Sequence, residues 1–168
     1  NRDIWAFGGD LGYVGVVNDS NFCSNGLVAA DRTLHPHIFE VKKVMQYIHF
    51  EPVQFSKNQI RITNRHDFIN LNKYYLQWTI ECDGEIIQKG TMDFPLLPAG
   101  KTTIITLPIQ TLPNNGREYF LTLRVFTKEA EALVPKGHEV AVEQWQLPTI
   151  EVTPNIIPTQ GSLIVEQN

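Results

Sequence analysis

The residues able to carry chemistry gather early in the chain, in the run NDSNFCSNGLVAADRTLHP from Asn18 to Pro36. Asparagine and aspartate dominate it, with Cys23 and His35 among them. Three carboxylates stand in or near the run: Asp10, Asp19 and Asp31. Acid–base or nucleophilic work by carboxylates needs two groups at matched positions with proton affinities pushed apart. No two of these acids are spaced in a way that argues for it. The ordinary role of Asn and Asp in such a run is structural, because their side chains bond nearby backbone and close turns. His35 precedes Pro36, and a loop-building role suits it better than proton transfer. Cys23 and Cys82 make neither a disulfide framework nor Cys-x-x-Cys metal spacing, and read as free, partly buried thiols. Gly8-Gly9-Asp10 lacks the GxGxxG spacing and the strand-to-helix setting of a phosphate loop.

Composition narrows the classes further. The chain has 168 residues, 42% of them hydrophobic, enough for one ordinary domain and an appendage. A net charge of −4 argues against a nucleic-acid or anionic-membrane partner, either of which asks for a basic face. No apolar run approaches the roughly 18 residues of a membrane span. Asn1-Arg2-Asp3 opens no secretory signal pattern, and the compartment, cytoplasmic or periplasmic, stays open.

These residues must be held by something, and the pattern after the polar run says what. Asn1 to Val17 is glycine-rich with Trp5, Phe7 and Tyr13 as anchors. Leu27-Val28-Ala29-Ala30 can pin the polar run to a core. Pro36 suits the first turn of a helix, with Thr33 or His35 as its cap. Ile38, Val41, Val44, Met45 and Ile48 then recur at steps of three or four, predicting a helix over Ile38–Ile48 with one apolar face. Glu40, Lys42, Lys43 and Gln46 fall on the other face. The apolar face must pack somewhere, on the downstream strands or on a second copy; Met45 and Tyr47 read as core or interface fill.

From Phe50 the period changes to two. Val53–Phe55 and Gln59–Thr63 flank a Ser56-Lys57-Asn58 turn. In Tyr74–Cys82, Leu76, Trp78, Ile80 and Cys82 share the face opposite Tyr75, Gln77, Thr79 and Glu81. Asp83-Gly84 is a tight-turn signal, and Glu85–Thr91 is the returning strand. Thr102–Leu107, Glu118–Thr127 and Glu139–Leu147 complete the set, with an excursion over Glu129–Gly137. Short strands at this spacing predict a mainly β fold: an immunoglobulin-like β-sandwich, with Trp78 in its core, preceded by an irregular loop and one α-helix.

Several words of the first fifty residues carry a resemblance. They are Gly8-Gly9-Asp10, Asn18-Asp19, Asn21-Phe22-Cys23, Asn25-Gly26-Leu27-Val28, Asp31-Arg32-Thr33, His35-Pro36, and Glu40-Val41-Lys42-Lys43 with Gln46. Together they resemble the end of the catalytic barrel in the large bacterial β-galactosidases of glycoside hydrolase family 2. Looser similarity continues through Trp78, Asp83-Gly84 and Gln144–Leu147. The resemblance implies that residues 1–49 are the last loop and helix of a (β/α)8 barrel. It implies that residues 50–148 are a small linker sandwich and 149–168 a linker and the start of the next β-domain. It further implies a parent that hydrolyses terminal β-D-galactose residues with retention. Such chemistry uses two carboxylic acids roughly 5 Å apart, and in the family both lie upstream of Asn1, as do the principal magnesium ligands. The segment itself is then expected to be non-catalytic. In the family a sodium ion beside the galactose takes a backbone carbonyl and an Asn side chain from this loop, which by motif position are Phe22 and Asn25. Asn18 would stand near the magnesium water shell. The implied partners are a β-galactoside for the parent, the upstream barrel and the downstream β-domain, with a homo-oligomer open.

Two departures bear on this. Leu34 stands where the family usually has proline, and Leu11–Val17 is about two residues longer than the corresponding stretch. A rival reading makes the sandwich a carbohydrate-binding module with Trp5, Trp145 and Tyr74 as a sugar platform, or a protein-interaction domain.

Overall fold

Among the described residues, alternation of apolar and polar residues becomes seven antiparallel strands in two facing sheets. The computed structural model describes residues 6, 10, 12–17 and 25–148. A helix, α1 (His37–Val44), precedes strands β1 (Ile48–Gln54) and β2 (Gln59–Asn64). β3 (Tyr74–Cys82), β4 (Glu85–Asp93), β5 (Thr102–Thr106), β6 (Tyr119–Thr127) and β7 (Glu139–Gln146) follow. One sheet has the order β1-β2-β5 and the other β4-β3-β6-β7. The expected mainly β sandwich is therefore what the chain forms.

The strands form for local reasons that then agree across the core. β3 alternates buried and half-buried residues along its whole length. Its Leu76, Trp78 and Ile80 meet Ile60 and Ile62 of β2, Phe50 of β1 and Leu121, Leu123 and Val125 of β6 in one buried cluster. Asp83 and Gly84 both take positive φ, 52° and 82°. That geometry gives a two-residue turn whose twist matches its strands. Asn58 does the same at φ 54° after a short 3-10 turn, so Ser56-Lys57-Asn58 reverses the chain as expected. Pro52 stands in edge strand β1, where its missing N–H costs no ladder bond.

One polar side chain organises an end of the sandwich. Asn64 is fully buried. Its Nδ2 donates to the carbonyls of Ile69 at 2.8 Å and Leu97 at 2.9 Å, and its Oδ1 accepts from the His66 amide at 3.0 Å. Three chain segments are thereby tied at the close of β2. A neighbouring aromatic ladder reinforces the same end: Tyr47 stacks on His66 at 4.8 Å, and His66 on Tyr74 at 6.1 Å. Tyr74 pairs across with Thr127, while Cys82 pairs with Tyr119 at the far end, where Leu147 bonds Tyr119. The chain thus enters the sandwich at one end and leaves it at the other, a strand length of roughly 25–30 Å away.

The helix departs from its expectation in three ways. It ends at Val44, not Ile48. Ile48 pairs with Asn64 as the first residue of β1 and is 1% exposed; burial between sheets outweighs one further helical turn. Neither Thr33 nor His35 caps it, since Pro36 occupies that position without a side-chain bond. Its apolar face is covered only in part: Ile38 and Val41 are half-buried, while Val44 and Met45 stay 77% and 71% exposed. The face turned to the sheet carries Lys42, Lys43 and Gln46, all bonded to β7. Met45 and Tyr47 are accordingly outside the sandwich core.

Candidate functional site

The described part of the polar run is a small hairpin closed by its own side chains. Val28 and Leu34 form an isolated antiparallel bridge. The Ala29 amide donates to the Thr33 carbonyl at 2.9 Å, and the His35 amide to the Leu27 carbonyl at 3.1 Å. At the tip, Asp31 Oδ1 accepts from the Thr33 amide at 2.9 Å and from Thr33 Oγ1 at 2.6 Å. Arg32 beside it is left-handed at φ 70°. The side-chain bond from Thr33 is the main cause that holds the Asp31 carboxyl below the usual carboxylate range. A general acid needs the reverse shift, so Asp31 is a turn residue. His35 Nδ1 donates to the Gly26 carbonyl at 2.7 Å and His37 Nε2 to the same oxygen at 3.2 Å. A carbonyl only accepts, so both nitrogens carry hydrogen. Both histidines thereby shape the base of the hairpin rather than a proton path.

Asn25 lies at the start of this hairpin and is exposed. Its amide oxygen is a hard, neutral donor of the kind an alkali cation takes. Phe22 and Asn18 lie outside the described residues, as do Asp19, Cys23 and Trp5. Asp10 is exposed. Among the described residues no cluster of three or more His, Cys, Asp or Glu could hold a metal ion.

The acids lining the clefts of the sandwich are engaged in structural contacts: in one cleft Glu81 accepts from Thr79, Asp83 lies 3.4 Å from Arg117 and Glu118 accepts from Gln146. A second, of about 530 Å³, opens at the Tyr74 end, lined by Ile69, Tyr74, Thr127, Val134 and Val140. It contains Glu129 and Glu131, but Glu131 is bonded to Lys73 Nζ at 2.8 Å and Glu129 lies 3.6 Å from Lys136 Nζ. Each carboxylate is paired with its own ammonium. Another, about 350 Å³, opens at the Leu147 end among Phe55, Ile109, Leu112 and Leu147, with no ionisable side chain in its lining. Of the proposed sugar platform, the described members Tyr74 and Trp145 do not form an exposed pair. Tyr74 is 8% exposed, and Trp145 is half-buried, edge-on to Phe55 at 6.4 Å. Cys82 is a buried free thiol, as read from the sequence.

Sequence reasoning missed Asn64 and the contacts of Lys43 and Gln46. A polar residue closing a strand looks like an ordinary turn residue, and polar residues on a helix look solvent-facing, so pattern alone carried no signal for either.

Comparison with known proteins agrees with this geometry. Residues 60–148 match the family described as "Beta-galactosidase, domain 4", more than half of the chain. Residues 1–50 match "Glycosyl hydrolases family 2, TIM barrel domain". A β-galactosidase of Priestia megaterium is 37% identical over 164 residues, covering 97% of this chain and 16% of that protein. One from Klebsiella pneumoniae strain 342 is 36% identical over 144 residues, covering 86% of this chain and 14% of that protein. One from Erwinia tasmaniensis is 37% identical over 143 residues, covering 85% and 14%. The chain thus spans about one-sixth of the length of these curated relatives. A sandwich matching the fourth domain, a preceding segment matching the barrel and relatives that agree across both lead to one conclusion: the chain belongs to the glycoside hydrolase family 2 β-galactosidases.

Proposed function

We propose that this chain is the joint of a retaining β-galactosidase, the segment that closes the catalytic barrel and spaces it from the next β-domain. The carrying observation is the agreement between the two family matches and the structure at one point. The barrel match ends at residue 50, and helix gives way to the first sandwich strand at Ile48. On this reading residues 1–49 finish the barrel, 50–148 are the spacer and 149–168 begin the next domain. The exposed Val44 and Met45 are then available to the barrel. Connection points at opposite ends of the sandwich suit a spacer.

The two carboxylic acids that perform the displacement lie upstream, and the segment itself does not catalyse. Its contribution is to the sodium site beside the galactose, through the Phe22 carbonyl and the Asn25 amide oxygen, with Asn18 near the magnesium water shell. Neutral oxygens suit a hard monovalent cation, and an Asn at the mouth of a hairpin braced by His35 and His37 is held in position for such a role. Metal ions when bound supply charge to orient the galactose hydroxyls; this chain's residues hold the rim in shape.

The test is hydrolysis of a chromogenic β-galactoside by this chain and by the chain extended upstream through the whole barrel. Activity in the long form and none in the short form is expected. Activity in the short form overturns the reading, because an acid pair within these residues would have to be at work.

A further inference from the structure

The outer edge of β7 carries a contact that the reading above does not use. Val142 pairs with Arg124 of β6, and its own N–H and C=O point away from that partner, as at alternate residues of an antiparallel edge strand. Both groups are taken. Gln46 Oε1 accepts from the Val142 amide at 3.1 Å, and Lys43 Nζ donates to the Val142 carbonyl at 2.6 Å. One acceptor and one donor, three residues apart where the helix ends, meet one amide and one carbonyl of the strand. Charge runs along the same line. Lys43 reaches Glu143 at 2.6 Å and Lys42 reaches Glu139 at 3.3 Å. Glu139 is steadied by Arg124 at 2.6 Å. The basic last turn of α1 therefore lies on the acidic edge of β7, the sign its helix terminus also favours.

We propose that the β7 edge is a docking rail for α1, read by Lys43 and Gln46 in place of a neighbouring strand. This polar clamp fixes the helix on the sandwich. Apolar packing contributes little: α1 has no buried residue, and Val44 and Met45 are exposed. A helix of eight residues has little stability of its own, so the clamp also holds it helical. It further closes an edge that would otherwise present unpaired backbone groups to another chain. Because α1 follows the hairpin at 25–36 directly and runs into β1 through Met45–Tyr47, the clamp bears on how that hairpin is held relative to the sandwich. The clamp is independent of the reaction the parent performs.

The test is amide hydrogen exchange of the chain by NMR. The Val142 amide should exchange about tenfold or more below the intrinsic rate for its sequence, the scale of one net hydrogen bond. Gln46→Met, which keeps shape and loses the acceptor, should remove that protection while Leu123 and Val125 in the core stay protected. Gln46→Glu, which keeps an acceptor oxygen, should retain most of it. Val142 exchanging at its intrinsic rate in the unaltered chain overturns the proposal. So does protection that survives Gln46→Met, or that Gln46→Glu fails to restore.

Discussion

Gly90 tests whether the core is packed as tightly as its geometry states. It lies opposite Trp78 in the β3–β4 pairing. A Cβ placed on Gly90 would sit 2.7 Å from Cε2 and Cζ2 of the Trp78 indole and 2.8 Å from Nε1. Real Cβ atoms do not approach that closely, and Trp78 cannot yield: it is 4% exposed in central strand β3. Gly90→Ala must displace either the ring or edge strand β4. Such overpacking costs typically 1–3 kcal/mol, and the alanine returns about 0.4–1 kcal/mol through the unfolded chain. The net expectation is a loss of about 1–2 kcal/mol. With a urea slope of about 1.5 kcal/mol per molar, the midpoint falls by ~1 M. Unfolding followed by circular dichroism reads it without relying on the tryptophan. Gly84→Ala is the companion: φ is 82° there and nothing lies within 4 Å, so its cost is backbone strain alone. In a Trp78→Phe background, which lacks the outer half of the indole, the Gly90→Ala penalty should shrink by about 1 kcal/mol while the Gly84→Ala penalty stays. An unchanged midpoint for Gly90→Ala, or an equal loss in both backgrounds, would refute the steric argument.

Three further outcomes are expected from other parts of the structure. Asn64→Ala strands the buried partners of three hydrogen bonds and should cost about 2–4 kcal/mol in the same unfolding assay; a loss below about 1 kcal/mol would mean those loops are held by something else. Burial pushes the His66 imidazole below its usual value, with Asp67 opposing. The unfolded chain then binds the proton more readily, so the contribution is full above about pH 6.5 and is lost as pH falls through the lower folded value. Stability should therefore drop on acidification in this window, and the drop should be smaller in His66→Phe; parallel pH profiles for the two chains would sink the idea. In the chain extended through the barrel, Asn25→Ala should raise the sodium concentration for half-maximal β-galactosidase activity by about tenfold, the worth of roughly 1.4 kcal/mol of lost ligation; an unchanged sodium response would remove Asn25 from the site.

The sandwich was largely legible because its signals were local and redundant. β3 runs from Tyr74 to Cys82, as its alternation predicts, because every second residue meets the same core. Asp83-Gly84 named its turn because few other residue pairs take positive φ twice. The polar run was legible in kind but not in detail. Asp31 and Thr33 bond each other, as Asx chemistry suggests. The paired claim of His35 and His37 on one Gly26 carbonyl depends on how the hairpin folds back, which spacing does not encode. Asn64 was missed for the same reason: its partners at Ile69 and Leu97 belong to two separate loops.

The helix shows where periodicity misleads. Ile38, Val41 and Val44 do share a helical face, with Met45 at its C-cap, and the inference from that face to the neighbouring body is ordinarily sound. It fails here because α1 stands between two bodies on the proposed reading, and the amphipathic pattern reports only one. Toward β7 the helix meets a sheet edge, not a sheet face. An edge offers N–H and C=O groups rather than apolar side chains, so what complements it is an amide oxygen and an ammonium. Gln46 and Lys43 look solvent-facing in the sequence because interface and solvent ask for the same chemistry. A joint built this way has an apolar side that can be buried against one partner and a polar side matched to the backbone of the other. Swapping Lys43 or Gln46 for a better helix-face hydrophobe would therefore weaken α1's hold on the sandwich, where a surface reading of the same residues expects no effect.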